Sequence, residues 1–85
     1  MNTLFLLMAE YNAAVLPLSL VAKKYLGLDE RMASRKAGAQ SLPLPAFRMC
    51  ESQKSPWLVK TEDLAKYLDQ SHEQAVKDWK AINMG

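Results

Sequence analysis

Pro17-Leu18-Ser19-Leu20-Val21-Ala22-Lys23-Lys24-Tyr25-Leu26-Gly27-Leu28-Asp29-Glu30-Arg31-Met32-Ala33-Ser34-Arg35-Lys36 reads as two short helices joined by a tight turn. Leu18, Val21, Ala22 and Tyr25 fall at i, i+3, i+4 and i+7, one face of a helix, with Lys23 and Lys24 pointing away. Pro17 suits the helix start, where its missing N–H costs nothing. Gly27 is placed to end the helix at C′, where positive φ is cheap. Asp29 is a good N-cap for the second helix, and Glu30 favours the positive end of its dipole. On a 100° wheel Arg31, Ser34, Arg35 and Gly38 share the outer face. Met32, Ala33 and Ala37 face inward, and Lys36 sits at the flank with its stem packed and its amine out.

Downstream, Leu42-Pro43-Leu44-Pro45 must be extended, because each Pro pushes its predecessor out of the α region. Ala46 to Cys50 then reads as a short strand, with Phe47 and Met49 on one face and Cys50 as a small packed residue. Glu51 to Pro56 is a polar turn, and Trp57-Leu58-Val59 is the return strand. The resulting hairpin carries Gln53 and Lys54 at its tip, with Trp57 bracing it from the core. Thr61 is an N-cap signal, with Glu62 and Asp63 in the first turn of a helix spanning about 62–82. Leu64, Tyr67, Leu68, Ser71, Ala75, Trp79 and Ile82 trace its stripe. A helix of that length is about 30 Å long, so its distal half projects or meets a partner. Upstream, Thr3 to Tyr11 reads as a buried helix or strand.

The 85 residues are expected to form one domain, 1–85. With 49% hydrophobic and 24% charged residues and three Gly, disorder, collagen and repeat arrays are excluded. The single Cys50 cannot form an intrachain disulfide, which points to a reducing, cytoplasmic setting. The longest apolar run stops at Glu10, far short of the roughly 18 residues of a membrane span, so no membrane contact is expected. The net charge of +2 hides an asymmetry. Lys23 to Lys60 holds eight basic residues against three acidic, and residues 61–85 hold three basic against five acidic. A basic middle suggests a polyanion partner.

Enzyme signals are poor. His72 lies among polar neighbours with no nucleophile paired to it. One Cys and one His cannot assemble a structural zinc site, and no Gly-rich phosphate loop exists. Neither an enzyme, a metal nor a cofactor is expected. Two helices, a basic-tipped hairpin and a helix make a mainly α winged helix-turn-helix with a small β-hairpin wing. In that arrangement the second helix lies in the major groove of double-stranded DNA. Arg31, Ser34 and Arg35 are the candidates for base edges. Lys23, Lys24, Lys36, Arg48, Lys54 and Lys60 are the candidates for the DNA backbone, and Gln53 at the hairpin tip is a further DNA-binding candidate. Trp79, with Ala75 and Ile82, is the candidate dimer or partner contact.

Several stretches resemble the pyocin activator protein (PrtN) family. They are Met1 to Tyr11, Leu16-Pro17-Leu18 with Val21, Tyr25-Leu26-Gly27, Leu42 to Arg48, Ser52-Gln53-Lys54-Ser55-Pro56-Trp57, and Asp63 to Asp69. The Ser-Gln-Lys-Ser-Pro-Trp stretch is the most specific. The middle of the chain is also similar to the winged helix-turn-helix of phage excisionases and MerR-like regulators. In those relatives Gly commonly follows the helix Ala by four residues, whereas Gly27 follows Ala22 by five. The resemblance implies a bacterial or prophage-borne activator of bacteriocin (pyocin) genes that binds their promoters. Activation would recruit RNA polymerase or displace a repressor, and the sequence does not choose. A homodimer through the terminal helix is expected, because one short helix and wing rarely give high affinity. An excisionase-like protein that bends DNA and a prophage antirepressor acting through protein contact are the rival readings.

Overall fold

The computed structural model describes residues 2–52 and 54–84. Residues 3–11 resolve as helix: α1 spans Thr3–Tyr11. The Asn2 side chain starts it by accepting hydrogen bonds from the N–H groups of Leu4 (2.7 Å) and Phe5 (3.4 Å). Asn12 ends it in the left-handed region, at φ 50°, a conformation Asn tolerates better than most residues. A short strand β1 (Val15–Pro17) follows and runs directly into α2 (Leu18–Val21). The same helix continues as a π-helical segment, Ala22–Leu26.

Gly27 closes that segment at φ 67°, and its N–H donates to the Ala22 carbonyl, the i→i−5 bond of a π turn. The Leu28 N–H donates to the same carbonyl at 3.0 Å. The five-residue spacing from Ala22 to Gly27 is thus taken up inside the helix. α3 (Glu30–Gly38) begins as expected, with Asp29 Oδ1 accepting from the Met32 N–H at 2.7 Å. Ala33 and Ala37 are buried against α2. Met32, expected inward, is 39% exposed. The buried face of α3 consists of those two alanines.

β1 pairs antiparallel with β2 (Leu58–Lys60), in the register Val15↔Lys60, Leu16↔Val59 and Pro17↔Leu58. The expected hairpin between Ala46–Cys50 and Trp57–Val59 is thereby corrected. It shrinks to one bridge, in which Phe47 and Leu58 exchange both backbone hydrogen bonds at 2.9 and 2.7 Å. Alternate residues of an antiparallel strand bond to opposite neighbours. Leu58 therefore serves the wing while Val59 serves β1. Arg48, Met49 and Cys50 leave the ladder, and Cys50 is exposed rather than packed.

β2 passes without a gap into α4 (Thr61–Asn83). Thr61 is not the N-cap expected of it: Lys60 holds that position, and Thr61 is the first helical residue, fully buried. Its hydroxyl donates to the Ala13 carbonyl at 2.7 Å, and its N–H donates to the Ala14 carbonyl at 2.9 Å. These two bonds tie the carbonyls of half-buried Ala13 and exposed Ala14, in the connection between α1 and β1, to the buried Thr61. α1 packs along the first half of α4, and Thr3 Oγ1 donates to Asp69 Oδ1 at its far end.

One hydrophobic cluster holds these pieces together: Leu7 from α1, Leu16 from β1, Leu18, Val21 and Ala22 from the second helix, Ala33 and Ala37, Leu44, Val59, and Leu64 with Ala65. Leu64, at 0% exposure, is among its largest fully buried members. Beyond Leu68 the α4 stripe leaves the core. Trp79 is 57% and Ile82 84% exposed, and the molecule is drawn out to 51 × 27 × 16 Å. Among the described residues no helix is long and apolar enough to cross a membrane.

Two stability outcomes follow from this packing. Leu64→Ala should cost about 2–5 kcal/mol, the range for emptying a packed leucine site, read as a lower urea midpoint at unchanged slope. Thr61→Val preserves shape but leaves the Ala13 carbonyl without its donor. It should cost about 1–3 kcal/mol, whereas Glu62→Ala beside it should shift the midpoint by less than half as much.

Candidate nucleic-acid interface

α3 is the most polar surface element of the first half of the chain because its inner face is spent on two alanines. Arg31, Ser34 and Arg35 stand exposed on its outer side, and Lys36 is half-buried at the flank. Glu30, Ala33 and Ser34 form one wall of a groove of about 310 Å³. Lys54, Ser55, Pro56 and Trp57 form the opposite wall, and Pro17, Leu18 and Ser19 lie at the end of β1 and the start of α2. The start of α3 and the base of the wing therefore face each other across a trough. Lys23, exposed, lies beside a second depression with Ser19, Gly27, Leu28, Asp29 and Glu30.

The wing is shaped by local bonds. The Ser55 N–H donates to the Ser52 carbonyl at 3.0 Å, and the Lys54 N–H donates to Ser52 Oγ at 3.2 Å. Arg48 donates to the Ser52 carbonyl at 3.4 Å and lays its guanidinium 4.4 Å from the centroid of the half-buried Trp57 ring. That stacking, worth about 0.5–1 kcal/mol at a partly exposed site, makes Arg48 a brace of the wing. Gln53 lies outside the described residues.

Two of the sequence candidates sit elsewhere. Lys60 lines a cavity with Leu4, Met8, Ala14, Thr61 and Glu62, against α1 and not α3. Lys24 is engaged with α1. Its Nζ donates to Glu10 Oε1 at 3.0 Å and to Tyr11 Oη at 2.7 Å, and it lies 4.9 and 5.5 Å from the Tyr11 and Tyr25 ring centroids. The Tyr11 bond, and after it the Glu10 bond, hold the Lys24 ammonium above the ordinary lysine range. Tyr11 and Tyr25 share a 2.8 Å hydrogen bond. Burial, then that bond, pushes the Tyr25 phenol up to about 12. With the Tyr11 oxygen already accepting from Lys24, its own proton is free for Tyr25.

The structure thus groups Ser34 and Lys54 across one trough, leaves Arg31, Arg35 and Lys23 open on the same two helices, and separates Lys24 and Lys60 from them. It also adds residues the sequence reading passed over. Ser19 and Ser55 line the trough, and Glu30, assigned only to the helix dipole, lines it too. A helical wheel would have flagged Ser19 as a polar residue on the rim of the α2 stripe. Ser55 offers no such signal, because it lies in a loop. His72 is exposed on α4. Among the described residues no group of three or more His, Cys, Asp and Glu side chains is placed to hold a metal ion.

No curated protein and no solved structure matches the chain. The family model of pyocin activator protein PrtN matches residues 3–75. That span runs from the start of α1, through the helix pair and the wing, into the distal half of α4. Every element that builds the trough falls within it, and the chain belongs to the pyocin activator protein PrtN family.

Proposed function

We propose that the chain is a transcriptional activator of pyocin-like or prophage genes that binds double-stranded promoter DNA through α3 and the wing, acting as one winged helix-turn-helix unit. The trough between α3 and the wing, with Ser34 on one wall and Lys54 on the other, carries this reading. A phosphodiester strand is the ligand that fits between a helix seated in the major groove and a wing beside it.

Arg31, Ser34 and Arg35 read base edges from α3, where Arg pairs bidentately with guanine O6 and N7. Glu30 adds a constraint. A carboxylate here repels phosphate unless it accepts from a cytosine amino group, so a cytosine opposite the start of α3 is expected in the operator. Lys23, Lys36 and Lys54, with the hydroxyls of Ser19 and Ser55, bond the DNA backbone. Arg48 contributes by holding Trp57 and the wing in shape. Lys24 and Lys60 take no part. The excisionase-like alternative uses the same face and differs only in output, so a bending assay on the bound promoter separates it from an activator.

Binding of the purified protein to promoter fragments from its genomic neighbourhood, across a salt series, tests the assignment. Arg31→Ala/Arg35→Ala should abolish discrimination between specific and random DNA, a loss of about 1–3 kcal/mol per bidentate contact. If the double variant binds like the wild type, α3 is not the recognition helix. The backbone set is tested separately. Lys54→Ala and Lys23→Ala should each lower the slope of log affinity against log salt by roughly 0.9, one phosphate contact. Lys24→Gln and Lys60→Gln should leave that slope unchanged. An altered slope with Lys24→Gln would place the DNA on the α1 side of the helix pair instead.

A further inference from the structure

α1 is apolar nearly all round. In Thr3–Tyr11 the only charged residue is Glu10, and that carboxylate is paired with Lys24. Leu7 is buried, with Leu4 and Tyr11 packed beside it. On the helical wheel Phe5 stands nearly opposite Leu7, with Leu6 and Met8 at its sides. Phe5 is 62%, Leu6 50% and Met8 38% exposed. A helix apolar on every face belongs in an interior, and half of this one is uncovered.

The second uncovered apolar surface is the overhang of α4. Ala75, Trp79 and Ile82 continue the wheel face of Leu64 and Leu68, and Leu64 and Leu68 belong to the core on which α1 also packs. The overhang therefore carries the core-facing stripe of α4 past α1's end, with Trp79 on the flank nearer to α1, whose Thr3 bonds Asp69. α1 runs antiparallel to the first half of α4, since Thr3 meets Asp69 while Thr61 meets Ala13. The overhang, residues 70–83, is roughly 21 Å long and α1 roughly 13 Å. The empty berth beside the overhang is long enough for one more α1.

We propose that a second copy of this chain fills that berth, so that the Ala75–Trp79–Ile82 face of each α4 covers the Phe5, Leu6 and Met8 face of its partner's α1. A two-fold axis near Ser71 and His72 produces both contacts at once, as an isologous interface requires. The two α4 helices then run antiparallel with the two α1 helices end to end between them, each α1 clasped by its own α4 and by the partner's overhang. Phe5, Leu6, Met8, Trp79 and Ile82 leave roughly 600 Å² uncovered if each offers about 150–250 Å² in full. That meets the lower bound of about 600 Å² per partner for a specific stable interface. The occupant is a second copy because both halves of the contact are on this chain, and Phe5, Leu6, Met8, Ala75, Trp79 and Ile82 themselves carry no charge for a charged partner to match.

Sedimentation of the free protein at tens of micromolar, without DNA, tests this apart from any promoter binding. The wild type should be a dimer. Phe5→Glu and Trp79→Glu should each be monomers with unchanged helical circular dichroism, because both side chains are exposed in the single chain. In a Cys50→Ser background, Phe5→Cys combined with Trp79→Cys should be joined by a short bismaleimide into covalent dimers. Within one chain the two sites lie more than roughly 15 Å apart along α4. A wild type monomeric throughout, or a dimer that survives both glutamates, overturns the proposal. So does a dimer lost with Trp79→Glu but kept with Phe5→Glu, which would mean that the overhangs pair with each other.

Discussion

The junction at Thr61 is the constraint on which the rest of the molecule hangs. At one point β2 ends, α4 begins, and the link from α1 to β1 is tied down by two hydrogen bonds from a single buried residue. Moving up the ladder from there, Leu16 is paired with Val59, and the Leu18 N–H donates to the Trp57 carbonyl. α2 is thereby fixed to the base of the wing before any side chain of α3 is considered. Moving down from the same junction, α1 is laid along α4. Three residue pairs of sheet cannot be stable alone. They persist because both strands lead straight into helices whose leucines share one core.

This explains which parts of the fold were legible in the chain. The helix pair was, because Leu18, Val21 and Ala22 are periodic and because Gly27 and Asp29 are local signals whose chemistry acts within four residues. The extent of α4 was also legible, from a stripe that runs to Ile82. The pairing of β1 with β2 was not. Val15-Leu16-Pro17 is too short to show alternation, and its partner lies more than forty residues away. Thr61 misled for the same reason. A threonine before two acids carries the local signature of a cap, but its hydroxyl is used by a carbonyl 48 residues earlier. Of the proposed DNA face, the α3 residues could be read from a wheel. The separation of Lys24 and Lys60 from it could not, because a basic residue's reach depends on which element it finds beside it.

Charge is sorted by this arrangement. The basic surplus between Lys23 and Lys60 looks like one patch in the sequence and is divided in the fold. Lys24 is paired with Glu10 and stacked between two tyrosines, and Arg48 is spent on Trp57. What remains open around α3 and the wing is a smaller set, Lys23, Arg31, Arg35 and Lys54, on a scaffold whose own acids include Glu30 in the wall of the trough. A surface so composed relies less on bulk electrostatic attraction than the sequence total suggests. In the proposed DNA complex, discrimination by α3 then supplies a larger share of the affinity for a specific site.

The π segment joins these two themes. Ala22 and Gly27 are five residues apart, so one residue exceeds the i→i−4 spacing of an α-helix. Placed in the turn, it would lengthen the link to Asp29 and alter the angle at which α3 leaves. Placed in the helix, it costs one poorly packed turn but lets Gly27 and Asp29 keep their capping roles, so α3 starts from a fixed point. Its side effect is rotational. A π turn advances less per residue than an α turn, which swings Lys24 and Tyr25 around the helix, and in this structure both meet Tyr11. The hydrogen bonds and cation–π contacts made there offset the cost of the irregular turn. The π segment is thus braced by the α1 beside it, and α1 in turn is anchored to the helix pair through Lys24 and Tyr25.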